Sequence, residues 1–174
     1  MNLKLFIPQV YKKTVLDIDY DKLKKRKVKC IVFDLNNTLA NVRKKEISKD
    51  VIELIKKLKK DFKIIVLSNN LDIKVKPICS IIDVEYISFS LKPLPIGINK
   101  IKRKYGYKHE ELCIVGDQLS DILCGNMAGV MTILVTPLTN KDLEFTKINR
   151  RIEDIVYKKL EKKQLLKRGN YYGD

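Results

Sequence analysis

The chain has 174 residues, 45% of them hydrophobic, enough for a globular domain with a sizeable core and too many for a disordered polypeptide. Thirty-six Lys plus Arg oppose 21 Asp plus Glu, giving a formal net charge of +15, with no Trp and few aromatics. That excess favours polyanionic partners (nucleic acid, ribosome or an anionic membrane surface), or else it records an AT-rich genome that writes lysine at most exposed positions.

In chain order, the first 29 residues hold nine basic and three acidic side chains, with Lys-Lys-Arg-Lys at 24–27. They read as a basic N-terminal segment over about 1–27. Apolar runs then predict strands near 28–34, 62–67, 84–88, 112–116 and 131–135. Between them, 48–60 reads as a helix with Ser48 as its cap and Asp50 in its first turn, where the helix end is positive. A second helix near 94–105 stops at Gly106, and a third runs from about Ser120 towards Gly129. Strands alternating with helices predict an α/β fold: a doubly wound parallel sheet in three α/β/α layers, forming one domain over 1–174.

The last segment, about 146–168, sets Ile148, Ile152, Ile155, Val156 and Leu160 at helical spacing. Arg150, Arg151, Lys158, Lys159, Lys162 and Lys163 surround that stripe. Such a basic amphipathic helix either docks its stripe on the sheet or lies on anionic lipid or RNA. Cys30, Cys79, Cys113 and Cys124 show no Cys-x-x-Cys spacing and read as small buried residues of a reducing compartment. His109 stands alone in a charged connection and reads as exposed. No apolar run reaches membrane-spanning length and the N-terminus lacks a signal-peptide core, so the expected location is cytoplasmic, or peripheral on the inner face of a membrane.

The chemistry sits where apolar runs end. Ile31-Val32-Phe33 runs into Asp34-Leu35-Asn36-Asn37-Thr38-Leu39, and Ile64-Ile65-Val66-Leu67 into Ser68-Asn69-Asn70. Lys92-Pro93 follows the third predicted strand. Leu112-Cys113-Ile114-Val115 ends in Gly116-Asp117-Gln118-Leu119-Ser120-Asp121. Taken singly, each could be an ordinary turn or cap residue. In this order, each after its own strand, they gather on one rim of a parallel sheet, where open α/β folds bind ligands. The set comprises a carboxylate able to attack, a hydroxyl and amides for phosphate oxygens, a cation, and two further carboxylates. Metal-assisted phosphoryl transfer needs that combination, with Mg²⁺ held by hard oxygen ligands.

These segments resemble the four motifs of the haloacid dehalogenase (HAD) superfamily, and most closely its subclass IIIA phosphatases of the YqeG type. Gly125-Asn126-Met127-Ala128-Gly129, Thr132 to Leu138, Phe6-Ile7-Pro8 and Asn149-Arg150-Arg151-Ile152-Glu153 extend the similarity over nearly the whole chain. The resemblance implies a Rossmann-like, HAD-type fold and a phosphatase activity. Relatives include the mitochondrial phosphatase that acts on phosphatidylglycerophosphate, which makes that lipid the best single substrate expectation. It further implies Asp34 as the nucleophile. Mg²⁺ would be held by Asp34, the carbonyl of Asn36 and Asp117, with Asp121 in support. Ser68 and Asn69 would take the phosphoryl oxygens, Lys92 would neutralise charge and orient Asp34, and Thr38 would shape the turn.

Asn36 departs from the family pattern, which places a second aspartate there as general acid/base. A carbonyl ligand survives that change because it belongs to the backbone. A proton donor does not, and general acid–base help is worth about 10²–10⁴-fold. Only 34 positions separate Asp34 from Ser68 and 24 separate Ser68 from Lys92, room for one helix and one strand each and none for a cap domain. An open site suits a phosphate on a large anionic body. The leading expectation is therefore a capless Mg²⁺-dependent phosphatase. The alternative is a weakly active or inactive phosphatase-fold protein that binds RNA, the ribosome or a membrane surface.

Overall fold

Residues with no polar atom to satisfy on either side can be strands only at the middle of a covered sheet. Cys30-Ile31-Val32-Phe33 and Leu112-Cys113-Ile114-Val115 meet that condition, every one of them fully buried. The computed structural model describes residues 2–41, 46–139 and 144–173, with the side chains of 144–152 outside the described set. In chain order the elements are β1 (Val10–Lys12), α1 (Tyr20–Lys25), β2 (Cys30–Phe33), β3 (Ala40–Asn41), β4 (Glu46–Ile47), α2 (Lys49–Leu58) and β5 (Lys63–Leu67). There follow α3 (Asp72–Ile82), β6 (Glu85–Ile87), α4 (Ile96–Tyr105), β7 (Leu112–Gly116), α5 (Leu119–Ala128), β8 (Met131–Val135) and α6 (Glu144–Lys162).

Six strands form one parallel sheet in the order β1-β8-β7-β2-β5-β6, while β3 and β4 pair antiparallel beside it. Side chains alternate between the two faces, as strand geometry requires. Ile31, Phe33, Val66 and Val115 meet Val51, Ile55, Leu58, Val75 and Cys79 on the face covered by α2 and α3. Cys30, Val32, Ile65 and Ile114 meet Ile98, Ile101, Cys124 and Ala128 of α4 and α5 on the other. The three-layer α/β/α arrangement expected from the sequence is the one observed, and all five predicted strands are present within a residue or two.

Sequence reasoning missed five elements. β1 is only three residues long and lies inside the segment read as a basic flank, yet it pairs with β8 in the register Val10↔Ile133. Val15, Ile18, Leu23 and Val28 of that flank are buried, so about 1–27 is part of the fold rather than an appendage. α1 is a single short stretch. α3 follows Leu71, which offers no side-chain cap, and carries Pro77 inside, which blurs its helical pattern. The two-residue strands β3 and β4 fall below any periodicity signal.

Local signals performed as physics dictates elsewhere. Ser48 Oγ accepts the Val51 N–H at 3.3 Å at the start of α2. Gly106 (φ 68°) ends α4 in the left-handed region that favours glycine. The C-terminal helix is shorter than expected: it ends at Lys162 instead of about 168, because Gln164 turns left-handed (φ 56°) and folds Leu166 back into the core. Its stripe docks on the protein. Val156, Tyr157 and Leu160 pack with Tyr11, Leu119, Ile122 and Leu134, while Ile155, assigned to the stripe from sequence, is exposed. Ile148, Ile152, Arg150 and Arg151 lie outside the described side chains. The chain beyond α6 returns to β1, where Tyr11 and Tyr172 exchange backbone hydrogen bonds of 2.8 and 3.0 Å.

Gly125 is where α5 lies closest to the sheet: a Cβ there would strike the Cγ2 methyls of Ile114 and Thr132. Gly125→Ala should therefore destabilise despite a helix-propensity gain of about 1 kcal/mol. Two buried methyls are struck at once, which puts the overpacking cost in the upper part of its usual range, about 2–3 kcal/mol, so the net fall in Tm should be about 2–8 °C for a chain of this size. A thermal melt with an unchanged or raised Tm would show that α5 does not pack this closely.

Candidate active site

The strand order reverses between β2 and β7, which places the crevice for ligands at their C-terminal ends. Asp34 and Asp117 stand at that crevice, one residue past each strand. The Asp34 N–H extends the ladder by donating to Val115 O at 2.8 Å. Beyond it the chain folds into a tight turn. Leu39 and Ala40 both donate to Leu35 O, and Asn37 adopts the left-handed region (φ 60°) with its N–H on Ala40 O at 2.8 Å. Leu35 and Leu39 are buried and peg this turn to the core. Asn36 sits in it half-buried, two residues past the carboxylate it follows.

Lys92 holds the centre. Its ammonium donates to Asp34 Oδ1 at 2.5 Å and Leu67 O at 2.9 Å, and pairs with Asp121 Oδ1 at 2.7 Å. Those three acceptors use all three N–H groups, which is what a buried ammonium requires. Burial alone would lower the Lys92 ammonium. The facing Asp121 and Asp34 carboxylates more than reverse that and hold it above its ordinary value. Burial pushes the Asp34 carboxyl up to about 6, against the downward pull of Lys92.

The loop that delivers Lys92 is braced by Asn69. Its Oδ1 accepts from Ser90 Oγ at 2.8 Å and from the Lys92 N–H at 2.7 Å, and its Nδ2 donates to Lys92 O at 2.8 Å. Ser68, fully buried at the end of β5, accepts the Asn70 N–H on its Oγ at 3.2 Å. Sequence reasoning gave Ser68 and Asn69 to phosphate oxygens together. The structure sets both on the rim, with the Asn69 carboxamide turned to the Lys92 loop.

Two further supports orient the acidic residues. Thr38 Oγ1 donates to Asp117 Oδ1 at 3.1 Å, linking the β2 turn to the end of β7. Asp121, in the first turn of α5, accepts the Gln118 N–H on Oδ2 at 3.1 Å. Its carboxyl lies over the Cα of Gly116, in the space that any Cβ there would fill. Glu153 of α6 accepts the Leu119 N–H at the start of the same helix. Sequence reasoning assigned no role to Ser90, Gly116 or Glu153. The one usable signal was Glu153-Asp154, an acidic pair on an otherwise basic helix.

Asp34, Asp117 and Asp121 present carboxylate oxygens that all lie within 4.8 Å of one another, and all three residues are buried. Three carboxylates facing one ammonium leave a site that favours further positive charge, and an all-oxygen donor set suits a hard divalent cation. The four cysteines are buried and free elsewhere in the fold, with burial raising the Cys30, Cys79 and Cys124 thiols to about 12. His109 is exposed beside Glu110, as expected. A cleft of about 270 Å³ opens beside Asp117, walled by Tyr11, Tyr157 and Tyr171. None of the described helices is long and apolar enough to cross a membrane.

Residues 1–139 match the family described as mitochondrial PGP phosphatase. The chain is 33% identical over 162 residues to "Probable phosphatase YqeG" of Bacillus subtilis, covering 92% of this chain and 94% of that one. It is 29% identical over 171 residues to phosphatidylglycerophosphate phosphatase 1, chloroplastic/mitochondrial, of Arabidopsis thaliana, covering 91% of this chain and 49% of the plant protein. In fold it is similar to a predicted HAD-like family hydrolase from Porphyromonas gingivalis (TM-score 0.53, 16% identity, 72% of this chain and 98% of that one). It is also similar to a HAD family enzyme from Bacteroides thetaiotaomicron, an aspartate-to-alanine mutant in complex with magnesium and inorganic phosphate (TM-score 0.51, 14% identity, 68% and 98%).

The three-way lysine contact generates a stability prediction. Lys92→Met strands buried carboxylates, a loss of about 3–5 kcal/mol when one partner of a buried pair is removed. In EDTA its Tm should fall by about 6–20 °C. Added divalent cation should recover more of that loss than it adds to the unaltered chain. Equal shifts in both proteins would show that Lys92 and the cation do not share the three carboxylates.

Proposed function

We propose that this chain, which belongs to the mitochondrial PGP phosphatase family, is a Mg²⁺-dependent phosphomonoesterase with Asp34 as its nucleophile. One observation carries the reading: Asp34 stands at the switch point of the sheet with Lys92 on its carboxylate and Asp117 and Asp121 within 4.8 Å. A phosphatase of the HAD type needs a carboxylate that is both held and charge-balanced there.

In this reading an Asp34 oxygen attacks phosphorus, and the bond to the ester oxygen breaks as the aspartyl-phosphate forms. Water then attacks that phosphorus and frees Asp34 and inorganic phosphate. Lys92 keeps Asp34 aimed and offsets charge on the equatorial oxygens, which Ser68 Oγ and the backbone N–H of Asn69 would receive. Asp34, Asp117, Asp121 and the carbonyl of Asn36 would hold Mg²⁺, whose charge stabilises the phosphoryl oxygens. Thr38 fixes Asp117 for that purpose. The magnesium and phosphate bound by the Bacteroides enzyme of similar fold support the choice of ion.

Asn36 sets the limit on this chemistry. Its carboxamide has no proton to give the departing alkoxide and takes none from the attacking water. An ester with a good leaving group is displaced without that help, but the aspartyl-phosphate it leaves then hydrolyses slowly and accumulates. One with an alkyl leaving group reacts slowly. The substrate favoured is phosphatidylglycerophosphate, supported by the plant relative's name, by the basic surface and by the short intervals between motifs. A second reading, phosphate binding without turnover at a membrane or RNA surface, is favoured by Asn36 alone.

Activity should be measured with Mg²⁺ on a chromogenic aryl phosphate and on phosphatidylglycerophosphate. Asp34→Asn should abolish both activities. Asn36→Asp should raise steady-state turnover of both esters by about 10²–10⁴-fold, because both pass through the same aspartyl-phosphate. An Asp34→Asn variant as active as the parent overturns the nucleophile assignment. No gain from Asn36→Asp on either substrate overturns the acid/base reading.

A further inference from the structure

Six large apolar side chains stand exposed on one lobe of the catalytic rim: Leu71, Ile73, Phe89, Leu91, Leu94 and Ile96. Ile73 is 79% exposed and Phe89 62%. They belong to two segments laced into one piece. The Phe89 N–H donates to Asn70 O at 2.8 Å and the Ser90 N–H to Ser68 O at 3.0 Å, while Asn69 grips both ends of Lys92. The lobe is therefore a single rigid lip whose buried base carries Lys92.

Its backbone makes the exposure harder to dismiss. Phe89 (φ 47°) and Leu91 (φ 61°) both occupy the left-handed region, which bulky residues rarely adopt because their Cβ crowds the backbone. A fold that accepts this strain ordinarily hides a side chain by it, whereas here both remain in water. A cluster of this kind marks a surface that meets something apolar. Lys74 follows Ile73 on α3 and Lys100 lies one turn beyond Ile96 on α4, both exposed, and the chain carries +15 overall.

We propose that this lip, residues 71–73 and 89–96, is an interfacial docking surface that seats on an anionic lipid bilayer, with its flanking lysines at the headgroups. Aliphatic side chains flanked by Lys74 and Lys100, with Asp72 the one acidic residue among them, match the boundary between acyl chains and anionic headgroups. A single-stranded RNA surface would need aromatic stacking platforms, and Phe89 is the lip's one aromatic. α6 is less suited to this role: Val156, Tyr157 and Leu160 pack with Tyr11 and Leu134, which leaves Ile155 as the one exposed aliphatic among its described side chains. Docking places the Asp34 crevice beside the membrane face. It goes beyond the proposed hydrolysis and is read without turnover.

The test is co-sedimentation of the full chain with vesicles of phosphatidylglycerol and phosphatidylcholine, against phosphatidylcholine alone. The parent should bind the anionic vesicles. Ile73→Ser combined with Phe89→Ser should weaken that binding by about tenfold or more. Ile81→Ser, an exposed site at the far end of α3, should leave it unchanged. Because the chain has no Trp, Phe89→Trp supplies a lone reporter that does not depend on the double variant folding. Its emission should shift to the blue on anionic vesicles, while that of Ile81→Trp should not. Absence of vesicle binding, equal binding by the double variant, or equal blue shifts at both sites overturns the proposal. So does binding to single-stranded RNA with none to vesicles.

Discussion

A lysine ammonium buried against two carboxylates and a carbonyl is the constraint on which the rest of this site depends. Desolvating Lys92 is tolerable only because Asp34, Asp121 and Leu67 O take all its protons. Meeting that requirement fixes four pieces of chain at once: the end of β2, the end of β5, the first turn of α5 and the loop after β6. The side chains of Asn69 and Ser90 then brace the lysine, holding its loop by four hydrogen bonds when the Ser90–Ser68 backbone contact is included. The active rim is accordingly a set of mutually dependent turns, each supported by a strand that ends in the same plane.

Parallel strands make that arrangement available. All six point their C-terminal ends to one edge, so any residue one step beyond an apolar run arrives at the same rim. Asp34, Ser68 and Asp117 were legible in the sequence for this reason: each ends a run of buried residues. Lys92 and Asp121 were legible through the family's motif order. The remainder was not, and the causes differ. Asn69 was read as a phosphate ligand because a motif names residues but not which neighbour a carboxamide will satisfy. Glu153 lies 34 positions from the N–H it accepts, and no local pattern announces such a partner. Gly116 matters for the atom it lacks.

The same contrast runs through the fold. Central strands declare themselves by composition, since burial on two faces permits little besides Val, Ile, Leu, Phe and Cys. β1 has one neighbour and three residues, and its basic surroundings looked like a solvated tail. The helix α6 illustrates the converse. Its spacing was read correctly as amphipathic, but Ile155 faces water and Tyr157 the core, because the helix is oriented by what it packs against and not by its own hydrophobicity. Asn36 alone belongs to neither category: the turn around it is held by backbone contacts and buried leucines, and under the proposed function its consequence is chemical rather than structural.

The pairing of β1 with β8, closed from outside by Tyr172, bears on how the molecule comes together. Residues about 120 positions apart must meet to form that ladder, and a segment from the far end of the sequence then seals the edge. During synthesis the earliest strand of the sheet therefore waits for the latest, while the central β2–β5 pair can form from nearby chain. Assembly from the middle outwards would leave β8 open until β1 arrives, and β1 open until Tyr172 pairs with Tyr11. Completion of the fold and closure of the β1 side of the sheet are, in this protein, one and the same event.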